Sequence, residues 1–295
     1  MSFFLQQVGT GLSLGAIYGV IGICIVLIYR STGVFNFAQG MLLVIGAFIC
    51  WTFITVLHFP AWLSFVITLV LASILGFVIE RLAFRPMIGQ PILAAILMTV
   101  SLMAVLKGIT LLIWGGENQA YQPPMLPQNP AYFGDVVLSQ GYLWGFGVAV
   151  VMVGLFIYFF RWTRHGLVMS ATSEDHQLAR GIGIPVSRVF SLSWIIAAAA
   201  SAAVGIILAN LFSASLELEY IGMKAFAVVI LGGLESIPGA LLAGLIIGLS
   251  ESMAAGYIDP LVGGGIRDVF PFIVAIVVLV FRPHGLFGWK RIERV

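Results

Sequence analysis

The chain has 295 residues, 61% of them hydrophobic and only 9% charged, with a formal net charge of +2. A water-soluble domain carries about 25% charged residues, so this composition cannot cover a hydrated surface and the bilayer is the solvent for most of the chain. The small net charge gives no reason to expect nucleic acid. Cys24 and Cys50 lie in apolar runs with neither disulfide nor metal-ligand spacing.

A helix needs roughly 20 apolar residues to cross the hydrocarbon core. Taken in chain order, 3–29, 41–57, 61–79, 92–114, 141–160, 189–211, 239–256 and the shorter 269–281 meet or approach that length, giving about eight spans. The first stretch has no basic segment ahead of it and is not read as a cleaved signal peptide. Between the first two spans, "RSTGVFNFAQG" places Asn36, Phe37, Gln39 and Gly40 in an interruption of an otherwise uncharged run. Asn36 and Gln39 can hold a bundle together by interhelical hydrogen bonds of about 0.6 to 2 kcal/mol each, or line a gate or translocation path; both readings stand.

Loop charges orient the spans. Arg161, Arg164, Arg180 and Arg188 make 161–188 basic, and the tail carries Arg282, Lys290, Arg291 and Arg294. In contrast, 114–140 carries only Glu117 and Asp135, and 212–223 only Glu217 and Glu219. By the positive-inside rule the basic loop and the C-terminus are cytoplasmic and the acidic loops face outward. Residues 224–256 then begin and end outside, which takes an even number of passes. The stretch must therefore be two pieces, a short segment 225–231 and a longer returning helix, broken at Gly232, Gly233, Glu235 and Pro238. Non-helical backbone at membrane depth is tolerated only inside protein or along a wet cavity. Two interrupted segments in corresponding places also point to an internal repeat. Lys107, within the fourth span, is expected to pair or snorkel.

Within 161–188, Ser173 suits an N-cap and Glu174 and Asp175 suit a first helical turn. The segment runs past Leu178 to Gly181, Gly183 and Pro185, which end it. It is either an amphipathic connector or a helix that docks in a partner's groove. No grouping of His, Cys, Asp or Glu suggests a metal or nucleophilic centre. No Gly-x-x-x-x-Gly-Lys-Ser/Thr is present, so energy from ATP would have to come through another subunit. We expect no enzyme activity and no cofactor.

Five stretches, "NFAQG" (36–40), "ERLAFRP" (80–86), "TRHGLVMSATSEDHQLARGIGI" (163–184), "GMKAFAVVILGGLESIPGALLAGLIIGLSE" (222–251) and "FRPHGLFG" (281–288), resemble the LivH-type permeases of branched-chain amino-acid ABC importers. The resemblance covers nearly the whole chain. It implies an all-α polytopic permease forming one transmembrane domain over 1–295, in a bacterial inner membrane. It also implies a second related permease, two cytoplasmic ATPase subunits and a periplasmic substrate-binding protein. On this resemblance Ser173, Glu174, Asp175, Leu178, Gly181, Gly183 and Pro185 form the coupling helix. The sequence departs from the family at Gln39, where His is usual, at Glu235, where a small residue is usual, and near Leu167 and Ser170, where basic residues are usual. The substrate is accordingly expected among branched-chain amino acids, urea, short amides and aromatic acids. The alternative is a stand-alone secondary transporter or channel, which would need ionisable groups inside its spans; only Lys107 and Glu235 offer themselves.

Overall fold

The computed structural model describes residues 2–87, 89–174, 181 and 185–288. Its longer helices, among the described residues, are α1 (Ser2–Thr32), α2 (Gln39–Trp51), α3 (Ala61–Ile79), α4 (Ile92–Trp114), α5 (Gln140–Trp162), α6 (Arg164–Glu174), α7 (Val186–Phe212), α8 (Leu218–Gly232), α9 (Ile237–Met253) and α10 (Ile266–Phe281). Seven helical stretches are long and apolar enough to cross a membrane among the described residues. The 16-residue α10, about 24 Å long, brings the number close to the eight expected. A departure from the all-α expectation lies between α4 and α5, where β1 (Pro130–Phe133) and β2 (Val136–Ser139) pair antiparallel with Pro130 opposite Ser139.

The described chain forms two compact units. The first takes the stretches up to Val26, Gln128–Val150 and from Lys224 on; the second takes Leu27–Pro127 and Val151–Met223. α1, α5 and α8 each run from one unit into the other.

The second unit is built on α2, α3 and α7. Nearly all of α2 is buried, from Gln39 through Phe48. α3 buries Ser64, Thr68, Ala72, Gly76 and Ile79, while Trp62, Val66, Val70 and Ile74 are exposed. In lipid an apolar side chain gains little by turning inward, so small residues that let backbones approach select the buried face. Gly76 shows this: a Cβ there would lie 2.5 Å from the Trp194 carbonyl oxygen.

The first unit uses the same device. Gly11, Gly15 and Gly19 of α1 meet Leu241, Gly244, Leu245, Gly248 and Leu249 of α9, and a Cβ on Gly15 would sit 2.8 Å from the Gly244 carbonyl oxygen. Both glycine rows repeat every four residues, the spacing of one helix face.

The expected break after α8 is present, with corrected limits. α8 starts at Leu218 rather than near 225 and has 15 residues, and α9 has 17. Three helices end in one π-helical turn: α2 at Thr52–Val56, α3 at Glu80–Phe84 and α9 at Ala254–Ile258. One reading fails: Ser173 is not an N-cap, because α6 starts at Arg164 and Ser173 lies in its last turn. Thr163 explains the earlier start, its hydroxyl accepting from the Gly166 backbone at 3.0 Å.

Candidate functional site

The first break occupies 33–38, between α1 and α2. Gly33 takes a positive φ of 71° as the chain leaves α1. The Asn36 side-chain oxygen accepts from the Ala38 backbone N–H at 3.1 Å, and its side-chain amide donates to the Gln39 side-chain oxygen at 2.9 Å. The Gln39 amide in turn donates to the Ser201 hydroxyl on α7, which donates to the Ala197 carbonyl at 2.6 Å. Asn36 and Gln39 are wholly buried. The two amides therefore hold the break itself in place and tie the start of α2 to α7. Phe37 stands exposed beside them. Gly40 packs directly on the start of α8, where a Cβ would lie 2.7 Å from the Glu219 carbonyl oxygen.

The second break occupies 233–236. Gly233 turns the chain with φ 100°, and a Cβ there would meet the Gly288 backbone nitrogen at 2.7 Å. Ser236 caps α9, its hydroxyl accepting from Gly239 at 3.0 Å, and Pro238 sits in the first turn where its missing N–H is not needed. Gly232 and Gly239 bring the two arms together, with 2.5 Å from a Cβ on the first to the carbonyl carbon of the second. Two motifs that look separate in the sequence are partners here. The Leu286 N–H donates to the Leu231 carbonyl at 2.8 Å and the Phe287 N–H to the Gly232 carbonyl at 3.1 Å. The segment 285–288 thus satisfies the carbonyls that end α8 and straps the break. Glu235 is exposed at the tip of the turn, not enclosed within a helix. Ser236→Ala should cost about 1 kcal/mol of capping and so lower the melting temperature of the detergent-purified protein; an unchanged melting temperature would show that the strap alone fixes the turn.

Of the remaining expected residues, Gly181 is exposed and Pro185 immediately precedes α7. Ser173 and Glu174 close α6. Asp175, Leu178 and Gly183 lie outside the described residues. Residues 36–40 belong to the second unit and 232–238 to the first.

The buried charges are not the ones singled out from the sequence. In the first unit the Lys224 ammonium, 5% exposed, donates to Glu251 at 2.7 Å and to Asp268 at 2.9 Å. Glu251, 1% exposed, also accepts from the Tyr18 hydroxyl at 2.8 Å and lies 3.9 Å from the Arg267 guanidinium. In the second unit Glu80 is bridged by Arg85, and Glu219 by Lys107 at 2.7 Å. Lys107 pairs, as expected. The available signal for the missed cluster was a lysine and a glutamate near the far ends of the two arms of a broken helix. The first unit also holds a cavity of ≈ 330 Å³ among Gln6, Thr10, Gln128, Ser139 and Tyr142, all neutral hydrogen-bonding side chains, with Pro130, Val137 and Leu138.

Seven helical stretches able to cross a membrane among the described residues, with two breaks between helices, are the architecture of a polytopic membrane protein, and comparison with known proteins makes it a permease. The chain belongs to the family described as branched-chain amino acid transport system / permease component, whose model matches residues 7–280. It is 31% identical to the high-affinity branched-chain amino acid transport system permease protein LivH of Escherichia coli K12, over 99% of this chain and 98% of that one. It is 32% identical to the corresponding permease protein BraD of Pseudomonas aeruginosa, with the same coverage. Among solved structures it resembles PsaBC from Streptococcus pneumoniae in complex with Fab, with a TM-score of 0.50, 15% identity, and coverage of 95% of this chain and 91% of that one. That likeness is one of fold.

Proposed function

We propose that the chain is one of two membrane subunits of an ATP-driven importer for branched-chain amino acids or a related small amide or carboxylate solute. The observation that carries this reading is the strapped break. The two most specific family stretches, 232–240 and 281–288, meet at a non-helical segment inside an apolar bundle, a feature kept where backbone is buried in protein or borders a path for solute. Two cytoplasmic ATPases supply the energy, a second related permease supplies the other half of the path, and a binding protein delivers solute from the acidic, outward side. The C-terminus lies in the cytoplasm with the basic loop 161–188. Residues 36–40 and 232–238 border the path or its gate. The starts of α2 and α9 each present the positive end of a helix dipole suited to a carboxylate.

The segment 173–185 is the coupling element. Gly181→Trp should leave the complex assembled and hydrolysing ATP while uptake falls about tenfold or more. Uptake at the normal rate per ATP would remove 173–185 from the mechanism. Co-purification from the native membrane tests the assembly directly, with two ATPases and a second permease as the expected companions.

A stand-alone ion-coupled transporter gains some support from the buried Glu80, Glu219, Lys224 and Glu251. Each, however, already holds an opposite charge at 2.7 to 3.2 Å, the arrangement of a structural pair rather than an exchanging ion site. Solute movement by the lone chain in liposomes without ATP would favour it.

A further inference from the structure

The pair Glu80–Arg85 sits where α3 ends in a π-helical turn, Glu80–Phe84. Arg85 reaches Glu80 through both Nε, at 3.2 Å, and Nη2, at 3.4 Å. The same Nη2 donates to the Ser191 hydroxyl at 3.0 Å, and that hydroxyl donates to Glu80 Oε2 at 2.7 Å. The result is a closed three-residue ring joining the end of α3 to the second turn of α7. Glu80 is wholly buried and Ser191 nearly so. Just beyond the ring, Phe84 stacks on the buried Trp194 with ring centroids 4.4 Å apart, and Gly76 closes against the Trp194 backbone. The π-helical turn, with its i→i+5 bonding, brings Arg85 back over Glu80, five residues earlier.

Ser191 lies six residues after Pro185, about 9 Å along a rigid helix. A push on the segment before Pro185 therefore reaches this ring within the first two turns of α7. We infer that Glu80, Arg85 and Ser191 form a clamp that makes α3 and α7 move as one body when the segment 173–185 is displaced. Without the clamp α7 slides along α3 and the displacement is not passed on. The inference rests on the coupling role of 173–185, but the clamp itself is defined by geometry within the second unit. These are positioning residues: they touch no solute and act through α7.

The test uses the full complex from its native membrane, in liposomes. Spin labels at Leu82→Cys and Arg188→Cys flank the ring on exposed positions, and the native Cys24 and Cys50 are buried. With the ring intact, the distance between labels should be the same with and without ATP. With Glu80→Gln it should shift or broaden by several ångströms on adding ATP, and uptake of radiolabelled leucine per ATP hydrolysed should fall about tenfold. Glu80→Asp, which keeps the charge, should restore part of the ratio. A label distance that changes with ATP in the intact ring, or one that stays fixed in Glu80→Gln, overturns the clamp. Should Glu80→Gln fail to assemble, Ser191→Ala removes two bonds of the ring without stranding a charge, and the same two outcomes decide. Gly181→Trp in parallel separates the two ideas: if it leaves the uptake ratio intact the coupling reading fails, while the label distances still judge the clamp.

Discussion

Lys224→Met should be among the most damaging single substitutions in the chain. It removes the ammonium that holds both Glu251 and Asp268 and leaves Glu251, with its side chain 2% exposed, facing only Tyr18 and a guanidinium 3.9 Å away. Breaking a buried pair by deleting one partner costs about 3 to 5 kcal/mol, because the stranded charge has lost its water and gained nothing. Total stabilities are about 5 to 15 kcal/mol, so the loss takes a large share. Glu251→Gln should cost less, since Lys224 keeps Asp268. The double variant Lys224→Met with Glu251→Gln should recover part of the loss, because no isolated charge remains. Thermal unfolding of the purified protein checks all three. Equal, small effects in both single variants would mean that water reaches the cluster.

Gly248→Leu should be as severe for a different reason. A Cβ at Gly248 already falls inside clashing distance of the Gly15 backbone. Backbone cannot rotate away as a side chain can, so α1 and α9 must separate. Overpacking against a well-filled core costs typically 1 to 3 kcal/mol, and a rigid wall places this site at the upper end, about 3 kcal/mol. Gly154→Leu on α5, where nothing lies within 4 Å of an added Cβ, is the matched control and should be tolerated. The yield of monodisperse protein from membranes distinguishes them. Equal yields would mean that α1 and α9 can part at Gly248 without loss of the fold.

These two sites also show which part of the molecule could be read in its sequence. The spans were readable because length and hydropathy are what the bilayer selects. The hairpin of α8 and α9 was readable because loop charges demanded an even number of passes between 224 and 256. Asn36 and Gln39 announced the first break, since amides in an apolar run need partners, and the partners are in place. Which side of each helix faces protein was harder. α3 is apolar all round, and only the four-residue spacing of Ser64, Thr68, Ala72 and Gly76 marks its buried side. The rows Gly11, Gly15, Gly19 and Gly244, Gly248 carried the same signal. The charges were read least well. Glu235 drew attention because it interrupts an apolar run, yet it ends exposed at a turn. Glu251 looked like the end of a span and is buried, because its partners come from α1, α8 and α10, and no local pattern announces three distant neighbours. Ser173 failed as a cap because Thr163 had already started the helix ten residues earlier.

The strap over the second break has a bearing on how the protein is made. The carbonyls of Leu231 and Gly232 receive their donors from Leu286 and Phe287, which leave the ribosome only after α9 and α10 have been synthesised. Until then the Leu231 and Gly232 carbonyls at the end of α8 lack these donors. The two hydrogen bonds of the strap are therefore among the last that the described chain can make. A chain stopped just before residue 285 keeps every membrane-crossing helix and the Ser236 cap but lacks the strap, so it should show how much of the turn's order is acquired only when synthesis is nearly finished.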